Sequence, residues 1–434
     1  WLEQGEAASM ARAGGPRWAG LASVAVATVA YVLYQWRRGK AKAQLCMVSY
    51  VARNGKTYPL SQPRWCADGE GPPSPLMLQP LPGITRSQIR KEVRSLWRYS
   101  AAFPLPCDDP ISLGEGCTPL VERMINGNKV LFKCEWYNPT CSFKDRGTTV
   151  MLSLLRQQGI TEVLEDSSGN GGASVACYAA AGGIKATIMA PDSTSPAKTV
   201  QMKAHGATVE LIPGSRQATA DAAVATHGRG GKLFYASHNW QAFFLQGTKT
   251  LAYELWEDLG FRAPDNIIIP TGAGSNVMGC DIGFSELISA GEIRSLPRLF
   301  CAQPLVCSPI ATAILKDLGR DDGKTPPAEW NQPTKTIAEG TSIQEPVRLQ
   351  EILAAVKRSG GSAVRVTEEK IKSATMEMAQ VGLYTEPTCA QAAAAYHELL
   401  ATGQIKPSET TVVVLTSTGV KATPGVAEML GVKL

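Results

Sequence analysis

The feature that most constrains the fold is a regular alternation of short apolar runs with helical patterns, which begins after Gly114. The runs have the length and the β-branched residues of strands, and they are 184-IKATIMA-190, 207-ATVELIP-213, 266-NIIIP-270 and 411-TVVVL-415. Helical patterns such as 146–158 and 195–205 lie between them, each followed by a glycine that suits a helix end. This order predicts parallel βαβ units. We therefore expect an α/β protein of two lobes, with open, mostly parallel sheets covered by helices on both faces.

The composition divides the chain of 434 residues into three parts. Residues 46–110 are rich in proline, arginine and tryptophan and show no long helical period, so we interpret them as an irregular N-terminal extension that packs on the body. Residues 111–434 form the predicted catalytic core, with a smaller lobe at about residues 150–245. The 44% of hydrophobic residues is enough apolar material for a core of this size.

The first 45 residues form a tail that differs from the rest of the chain. Ala19 to Trp36 carries no charge and is followed by the basic segment 37–42, so it is long enough for a marginal membrane span. More positive charge follows this stretch than precedes it, and a span would leave the body in the cytosol. The alternatives are a cleaved targeting segment or a non-native leader, because the chain begins with Trp1. We predict a cytoplasmic protein, either free or anchored through residues 19–36.

Charge and cysteine content argue against several classes of function. The formal net charge is +5, of which residues 1–45 carry +4. The nearly neutral body lacks the basic stripe that a nucleic-acid partner requires. The eleven cysteines contain no C-x-x-C pair and the four histidines are scattered, so we expect reduced thiols and no metal site.

A glycine-rich loop follows the strand at 266–270, at the end of a parallel strand where such sheets bind ligands. Its residues are Gly272, Ala273, Gly274, Ser275 and Asn276. They lead into a helix, so backbone N–H groups and a helix N-terminus point at one place and predict a phosphate cradle. The other interpretation is an ordinary glycine-rich turn.

A second loop, within 164-LEDSSGNGGASVACYAA-180, brings polar groups to the start of the helix 173–181. The hydroxyl groups of Ser167 and Ser168 and the amide of Asn170 suit a carboxylate or an oxyanion. Alternatively, the serine caps the helix and the glycines only relieve crowding. A nicotinamide cofactor is a further hypothesis, because 169–174 is close to a dinucleotide fingerprint, although its third glycine is missing.

Lys144 stands between Phe143 and Asp145 at the head of a predicted helix. An aromatic neighbour can desolvate the amine enough to make it a nucleophile. A lysine in a Lys-Asp-Arg run is more commonly a solvated residue of the first helical turn. The functional interpretation therefore depends on the loops described above.

Several segments, in order along the chain, resemble the pyridoxal-phosphate enzymes of fold type II, the superfamily of the tryptophan synthase β chain. Within that superfamily the sequence is similar to the threonine synthases over about residues 46–430. The segments are 138-NPTCSFKDRG-147, 166-DSSGNGGASVACYAA-180, 194-TSPAKTVQMKAHGA-207, 247-GTKTLAYE-254, 336-TIAEG-340, 385-TEPTCAQAA-393 and 416-TSTGVK-421.

The resemblance implies pyridoxal phosphate as the cofactor and Lys144 as the catalytic lysine that forms a Schiff base with it. It implies that Asn170 contacts the ring hydroxyl, that residues 272–276 hold the phosphate group and that Thr416 faces the pyridine nitrogen. A hydroxyl group at that nitrogen leaves it unprotonated, which suits elimination and replacement at β or γ carbons. Ser167 and Ser168 would then hold the substrate carboxylate.

The implied reaction converts O-phospho-L-homoserine and water to L-threonine and phosphate. The leaving phosphate needs cations, and the candidates are Arg146, Lys198, Arg216 and Lys249. Cys141, the segment 416–422 and the loop 214–218 depart from the usual threonine synthase pattern, so substrate choice stays open. The alternatives are a β-replacement or dehydratase enzyme acting on serine, phosphoserine or threonine, and a homologue without cofactor that acts as a binding module. We also expect a homodimer.

Overall fold

The computed structural model describes residues 48–69, 71–226, 233–320 and 336–433. The strands in these ranges are β1 (Ser49–Val51), β2 (Thr57–Pro59), β3 (Met77–Leu78), β4 (Leu120–Ile125), β5 (Asn128–Cys134), β6 (Glu162–Glu165), β7 (Lys185–Pro191), β8 (Thr208–Ile212), β9 (Phe234–Tyr235), β10 (Asn266–Pro270), β11 (Arg298–Pro304), β12 (Ser362–Val366) and β13 (Thr411–Leu415).

The α-helices in the same ranges are α1 (Lys144–Gln157), α2 (Asn170–Ala181), α3 (Pro196–Ala204), α4 (Arg216–Thr226), α5 (Ala242–Thr248), α6 (Thr250–Asp258), α7 (Ser275–Ser289), α8 (Pro309–Asp317), α9 (Leu349–Ser359), α10 (Glu368–Gln380), α11 (Pro387–Ala401) and α12 (Thr423–Leu430). Short 3₁₀ helices lie at Arg86–Gln88, Leu96–Ala102, Glu135–Tyr137, Leu305–Cys307, Glu339–Thr341 and Gly419–Ala422.

The larger sheet has six strands in the order β12-β11-β10-β13-β5-β4. All neighbours are parallel except β4, which runs antiparallel to β5. Every residue of β10, β12 and β13 is buried, as expected for a parallel sheet covered on both faces. Alternate residues enter two cores: one packs the sheet against α6 to α9, and the other packs it against α10 and α11.

The smaller sheet has four parallel strands in the order β8-β7-β6-β9. The predicted strands at 184–190 and 207–213 appear as β7 and β8, and those of the larger sheet at 266–270 and 411–415 appear as β10 and β13. The predicted α/β architecture with two mostly parallel sheets is confirmed. One predicted helix differs, because α2 already begins at Asn170, before the expected 173–181.

The N-terminal extension contains a small antiparallel sheet, β2-β1-β3, that the sequence did not predict. Its strands are only two or three residues long, so no alternating pattern is visible in them. The extension packs on the core: the Tyr50 ring lies tilted against that of Phe243 at 5.5 Å between ring centroids, and Trp97 Nε1 donates to Thr149 Oγ1 at 2.9 Å. Residues Ser49–Leu434 thus form one compact unit.

The predicted membrane anchor at residues 19–36 lies outside the described residues. Across the described ranges, no helix combines the length and the apolar character that are needed to cross a membrane.

Candidate active site

Three segments converge at the carboxyl edge of the larger sheet. Strands β10 and β13 are parallel neighbours with Ile268 opposite Val413, so the loop that follows β10 and Thr416 after β13 leave the sheet side by side. The backbone N–H of Phe143 donates to the carbonyl oxygen of Thr416 at 3.0 Å. This bond fixes the start of α1, and therefore Lys144, at the same edge.

Lys144 is the first residue of α1 and is half-buried. Its Nζ lies 4.8 Å from the ring centroid of Phe143 and 5.8 Å from that of Phe244. Burial lowers the pKa of the amine to about 7, although the carboxylate of Glu165 opposes this shift. A substantial fraction of the amine is thus uncharged at neutral pH, as a nucleophile and base requires.

The loop after β10 fits the phosphate group of pyridoxal phosphate. Gly274 has φ of +80°, and a Cβ atom there would lie 2.3 Å from Ile352 Cδ1, so the turn requires glycine. Asn276 is buried, and its Nδ2 and Oδ1 atoms have no hydrogen-bond partner among the described residues. A buried amide without a partner is costly, and an anionic oxygen at the start of α7 would satisfy its donor. Residues 272–276 would hold this group.

The loop before α2 places polar groups on the side of the smaller sheet. Ser167 is buried, Ser168 and Asn170 are half-buried, and Asn170 starts the helix. A Cβ atom on Gly171 would lie 2.8 Å from the ring of His238 and 2.9 Å from Ser167 Oγ. Glycine therefore relieves crowding here, and the serine hydroxyls remain beside a helix N-terminus that suits a carboxylate.

Thr416, for which the resemblance implies a contact with the pyridine nitrogen, directly follows β13. Its Oγ1 lies 3.1 Å from Cys389 Sγ, and the backbone N–H of Ser417 donates to the same sulfur at 3.0 Å. The hydroxyl is buried and held in place by these neighbours. No carboxylate contacts the Thr416 hydroxyl among the described residues.

Glu165 and His238 are residues of this region that the sequence analysis did not identify. His238 donates its backbone N–H to Glu165 Oε2 at 3.0 Å, and its Nδ1 lies 2.9 Å from Glu165 Oε1. Burial raises the pKa of Glu165 to about 7 and lowers that of His238 well below its usual value. An acid at the end of a buried strand is a sequence signal for Glu165. The histidine is 73 residues away and gave none.

Two of the four candidate cations serve the fold instead of the substrate. Arg146 is fully buried and its guanidinium donates to Glu135, Glu254, Thr118 and Thr250, which occupies all its nitrogens.

Lys249 is also fully buried, and its Nζ donates to Ala102 O, Gln246 Oε1 and Glu286 Oε1. These three bonds use every donor of an ammonium group. The prediction that Arg146 and Lys249 bind the substrate is wrong, because both charges are neutralised inside the core.

Arg216 and Lys198, unlike Arg146 and Lys249, are not fully buried. Lys198 is exposed and forms an ion pair with Glu339. Arg216 begins α4, is half-buried, and has no hydrogen bond or ion pair to any residue in the described ranges. Its positive charge nevertheless acts on Lys144, Glu165 and His238, so the guanidinium lies near the cluster around the lysine.

The low pKa of Lys144 leads to a prediction for cofactor capture. The rate at which the protein without cofactor reacts with pyridoxal phosphate should rise with pH through a midpoint near 7, because the uncharged amine is the reacting form. Stopped-flow absorbance over a pH series measures this rate. In Glu165→Gln the midpoint should move down, since the carboxylate favours the charged amine. A midpoint near that of free lysine, about 10.4, would contradict a desolvated Lys144.

Comparison with known proteins gives consistent matches over most of the chain. The family model described as "Pyridoxal-phosphate dependent enzyme" matches residues 111–417. The threonine synthase of Methanosarcina acetivorans is 32% identical over 340 residues, covering 77% of this chain and 82% of that protein. The threonine synthase of Methanocaldococcus jannaschii is 32% identical over 346 residues, covering 78% and 83%.

Solved structures agree on the fold. A fungal L-serine ammonia-lyase from Rhizomucor miehei superimposes with a TM-score of 0.60 at 19% identity, covering 73% of this chain and 98% of the other. The match to the family model over most of the body settles the cofactor in favour of pyridoxal phosphate and against a nicotinamide. The chain therefore belongs to the pyridoxal-phosphate dependent enzymes of fold type II, as a threonine synthase-like lyase.

Proposed function

We propose that the protein converts O-phospho-L-homoserine and water to L-threonine and inorganic phosphate. The observation that carries the proposal is Arg216, a cation at the start of α4 that has no ion pair among the described residues and whose charge acts on Lys144. A substrate with a dianionic phosphate would complete this arrangement. The identity to two threonine synthases over more than four fifths of their length supports the same reaction.

The side chains of the site have separate roles in the proposed reaction. Residues 272–276, Asn170 and Thr416 would hold pyridoxal phosphate, which when bound would supply an electron sink for negative charge at the substrate α carbon. Lys144 takes and returns protons at the substrate carbons, because its amine exchanges a proton near neutral pH. Ser167 and Ser168, with the N-terminus of α2, bind the carboxylate and hold the substrate in one orientation.

The phosphate of the substrate needs a cationic partner near Lys144. Arg216 offers a planar guanidinium that makes no hydrogen bond to any described residue, and such a group matches phosphate oxygens in pairs. Lys198 is a weaker candidate, because it is exposed and already neutralised by Glu339. We therefore assign recognition of the leaving phosphate to Arg216.

Replacing Arg216 by glutamine should reduce kcat/KM for O-phospho-L-homoserine about ten- to a hundredfold, since a charge-assisted hydrogen bond contributes about 1.5–3 kcal/mol. Use of unphosphorylated serine or threonine should change little. Release of inorganic phosphate and of threonine measures the first activity, and formation of oxo acids measures the second. Lys203→Gln, an exposed charge on the neighbouring α3, is the matched control. Equal losses on both kinds of substrate would show that Arg216 supports the fold or the cofactor instead.

A dehydratase acting on serine or threonine is the second candidate, and Glu165 favours it. A hydroxyl leaving group must be protonated as it departs, and the carboxyl of Glu165 retains a proton up to about pH 7 beside Lys144. A β-replacement on phosphoserine would instead use Arg216. Parallel assays with O-phospho-L-homoserine, L-threonine, L-serine, and O-phosphoserine with sulfide or sulfite decide among them. Phosphate release that requires a sulfur nucleophile would overturn the threonine synthase assignment.

A further inference from the structure

Two charged side chains hold the amide of Asn170 from opposite sides. Asn170 Nδ2 donates to Glu386 Oε1 at 3.3 Å, and Lys421 Nζ donates to Asn170 Oδ1 at 3.0 Å. An acceptor on one side and a donor on the other fix which way the amide points. The second N–H of Nδ2 is then left to donate to another group.

These contacts join two parts of the molecule. Asn170 begins α2, beside the smaller sheet, whereas Glu386 precedes α11 and Lys421 follows β13 of the larger sheet. The hydrogen bonds therefore tie the loop before α2 to the edge where Thr416 leaves β13. Neither charged residue was singled out by the sequence analysis, although both lie in segments quoted there.

Glu386 is also connected to the residue at the other end of the predicted cofactor ring. Cys389 Sγ lies 3.9 Å from Glu386 Oε1 and 3.1 Å from Thr416 Oγ1. One buried carboxyl group thus contacts Asn170 directly and reaches Thr416 through a single thiol. A change of charge at Glu386 would alter the electrostatic potential at both Asn170 and Thr416, because the surroundings are buried and screen charges weakly.

We propose that Glu386 and Lys421 are positioning residues that aim the free N–H of Asn170 at the ring hydroxyl oxygen of the cofactor and set the charge balance at that edge of the ring. The inference rests on the proposed assignment of Asn170 and Lys144 to the cofactor. Lys421 keeps the carbonyl oxygen of the amide turned away from the ring. Glu386 accepts one N–H and fixes the direction of the other.

Glu386 also makes this edge sensitive to pH. Burial raises the pKa of its carboxyl to about 7, against the opposing effects of Lys421, Asn170 and Ser417 and the more distant charge of Lys198. Lys421 in turn faces the carboxyl of Asp145 and the thiols of Cys141 and Cys177, and burial lowers its pKa. The net charge of the Glu386 and Lys421 side chains beside the ring should therefore change as Glu386 ionises near neutral pH.

The test compares Glu386→Gln, Lys421→Met and Lys421→Arg in the protein loaded with pyridoxal phosphate. The readouts are the dissociation constant for pyridoxal phosphate and the absorption spectrum of the bound cofactor from pH 6 to 9. Lys421→Met should weaken cofactor binding about tenfold and shift the spectrum, because the amide carbonyl loses its donor. Lys421→Arg should restore most of the binding. Glu386→Gln should remove the spectral change whose midpoint lies near pH 7.

Lys370→Met is the matched control, since this exposed lysine on α10 forms its one ion pair among the described residues with Glu398 and should leave both readouts unchanged. Spectra and dissociation constants that match the parent protein in Lys421→Met and Glu386→Gln would overturn the inference. A pH-dependent spectrum that persists in Glu386→Gln would assign the titration to Lys144 or Glu165 and would also overturn it. Failure to use O-phospho-L-homoserine would overturn only the proposed function, because these readouts need no substrate.

Discussion

The Lys144→Ala protein should lose turnover by at least about a thousandfold, because one amine acts both as the attachment point of the cofactor and as the base. The structure supports this double role by desolvating the amine at the head of α1 and placing it beside Phe143 and Phe244. Borohydride treatment of the parent protein should fix the cofactor covalently on a peptide that contains Lys144. The Lys144→Ala protein should bind pyridoxal phosphate only reversibly.

The control for this prediction uses the other buried lysines. Lys133 donates to Thr118 O, Glu254 and Asp258, and Lys249 donates to Glu286, so neither amine is available for a covalent bond. Peptide mapping that places the reduced cofactor on either of them would contradict the assignment of Lys144. Circular dichroism of Lys144→Ala distinguishes loss of chemistry from loss of fold.

The features of the site that are formed by residues adjacent in the chain could be predicted from the sequence. The loop 272–276 follows a strand whose five residues are all apolar or buried, and glycine spacing alone indicated a turn before a helix. Lys144 was identified because the surrounding text resembles a family, whereas its position in a Lys-Asp-Arg run suggested a solvated residue. Burial lowers the pKa of the amine, and Phe244, a hundred residues away, is one of the rings beside it. No local sequence pattern shows such a contact.

The roles of the cations could not be predicted for the same physical reason. The sequence shows that a residue is charged, but it does not show whether the charge contacts water, substrate or a buried carboxylate. Arg146 hydrogen-bonds to Glu254, which is 108 residues away in sequence, and Lys249 hydrogen-bonds to Glu286, which is 37 residues away. Only the folded chain shows that these two charges are already neutralised, whereas Arg216 has no ion pair within the part of the chain that the structure describes.

Replacing Arg146 by alanine should lower the free energy of unfolding by about 3–5 kcal/mol, the cost of removing one partner from a buried ion pair. Glu135 and Glu254 would remain in the core, with Glu135 losing the cation that contacts both its oxygens. Arg146 and Lys133 hold the pKa of Glu254 well below its usual value, against the effect of burial. This contribution is fully present above the pKa of an unfolded glutamate, about 4.3, and is lost as pH falls toward the lower folded value. Urea unfolding at pH 7 measures the loss.

Lys357→Ala provides the comparison, because Lys357 pairs with Asp317 at the surface, where an ion pair contributes about 0–1 kcal/mol. Arg146→Met should also be strongly destabilised, since methionine restores volume but leaves both carboxylates without a cation. The kcat per folded molecule of Arg146→Met, measured well below its unfolding midpoint, should stay close to that of the parent enzyme, because the guanidinium bonds to Glu135, Glu254, Thr118 and Thr250 and to none of the described site residues. A variant that keeps full stability but selectively loses O-phospho-L-homoserine would show that Arg146 leaves its buried partners to bind phosphate. A guanidinium bound to two buried carboxylates cannot be removed without a measurable loss of stability. Unchanged stability would therefore show that Arg146 is not bound in this way, and it would return Arg146 to the substrate-binding role that the sequence analysis expected.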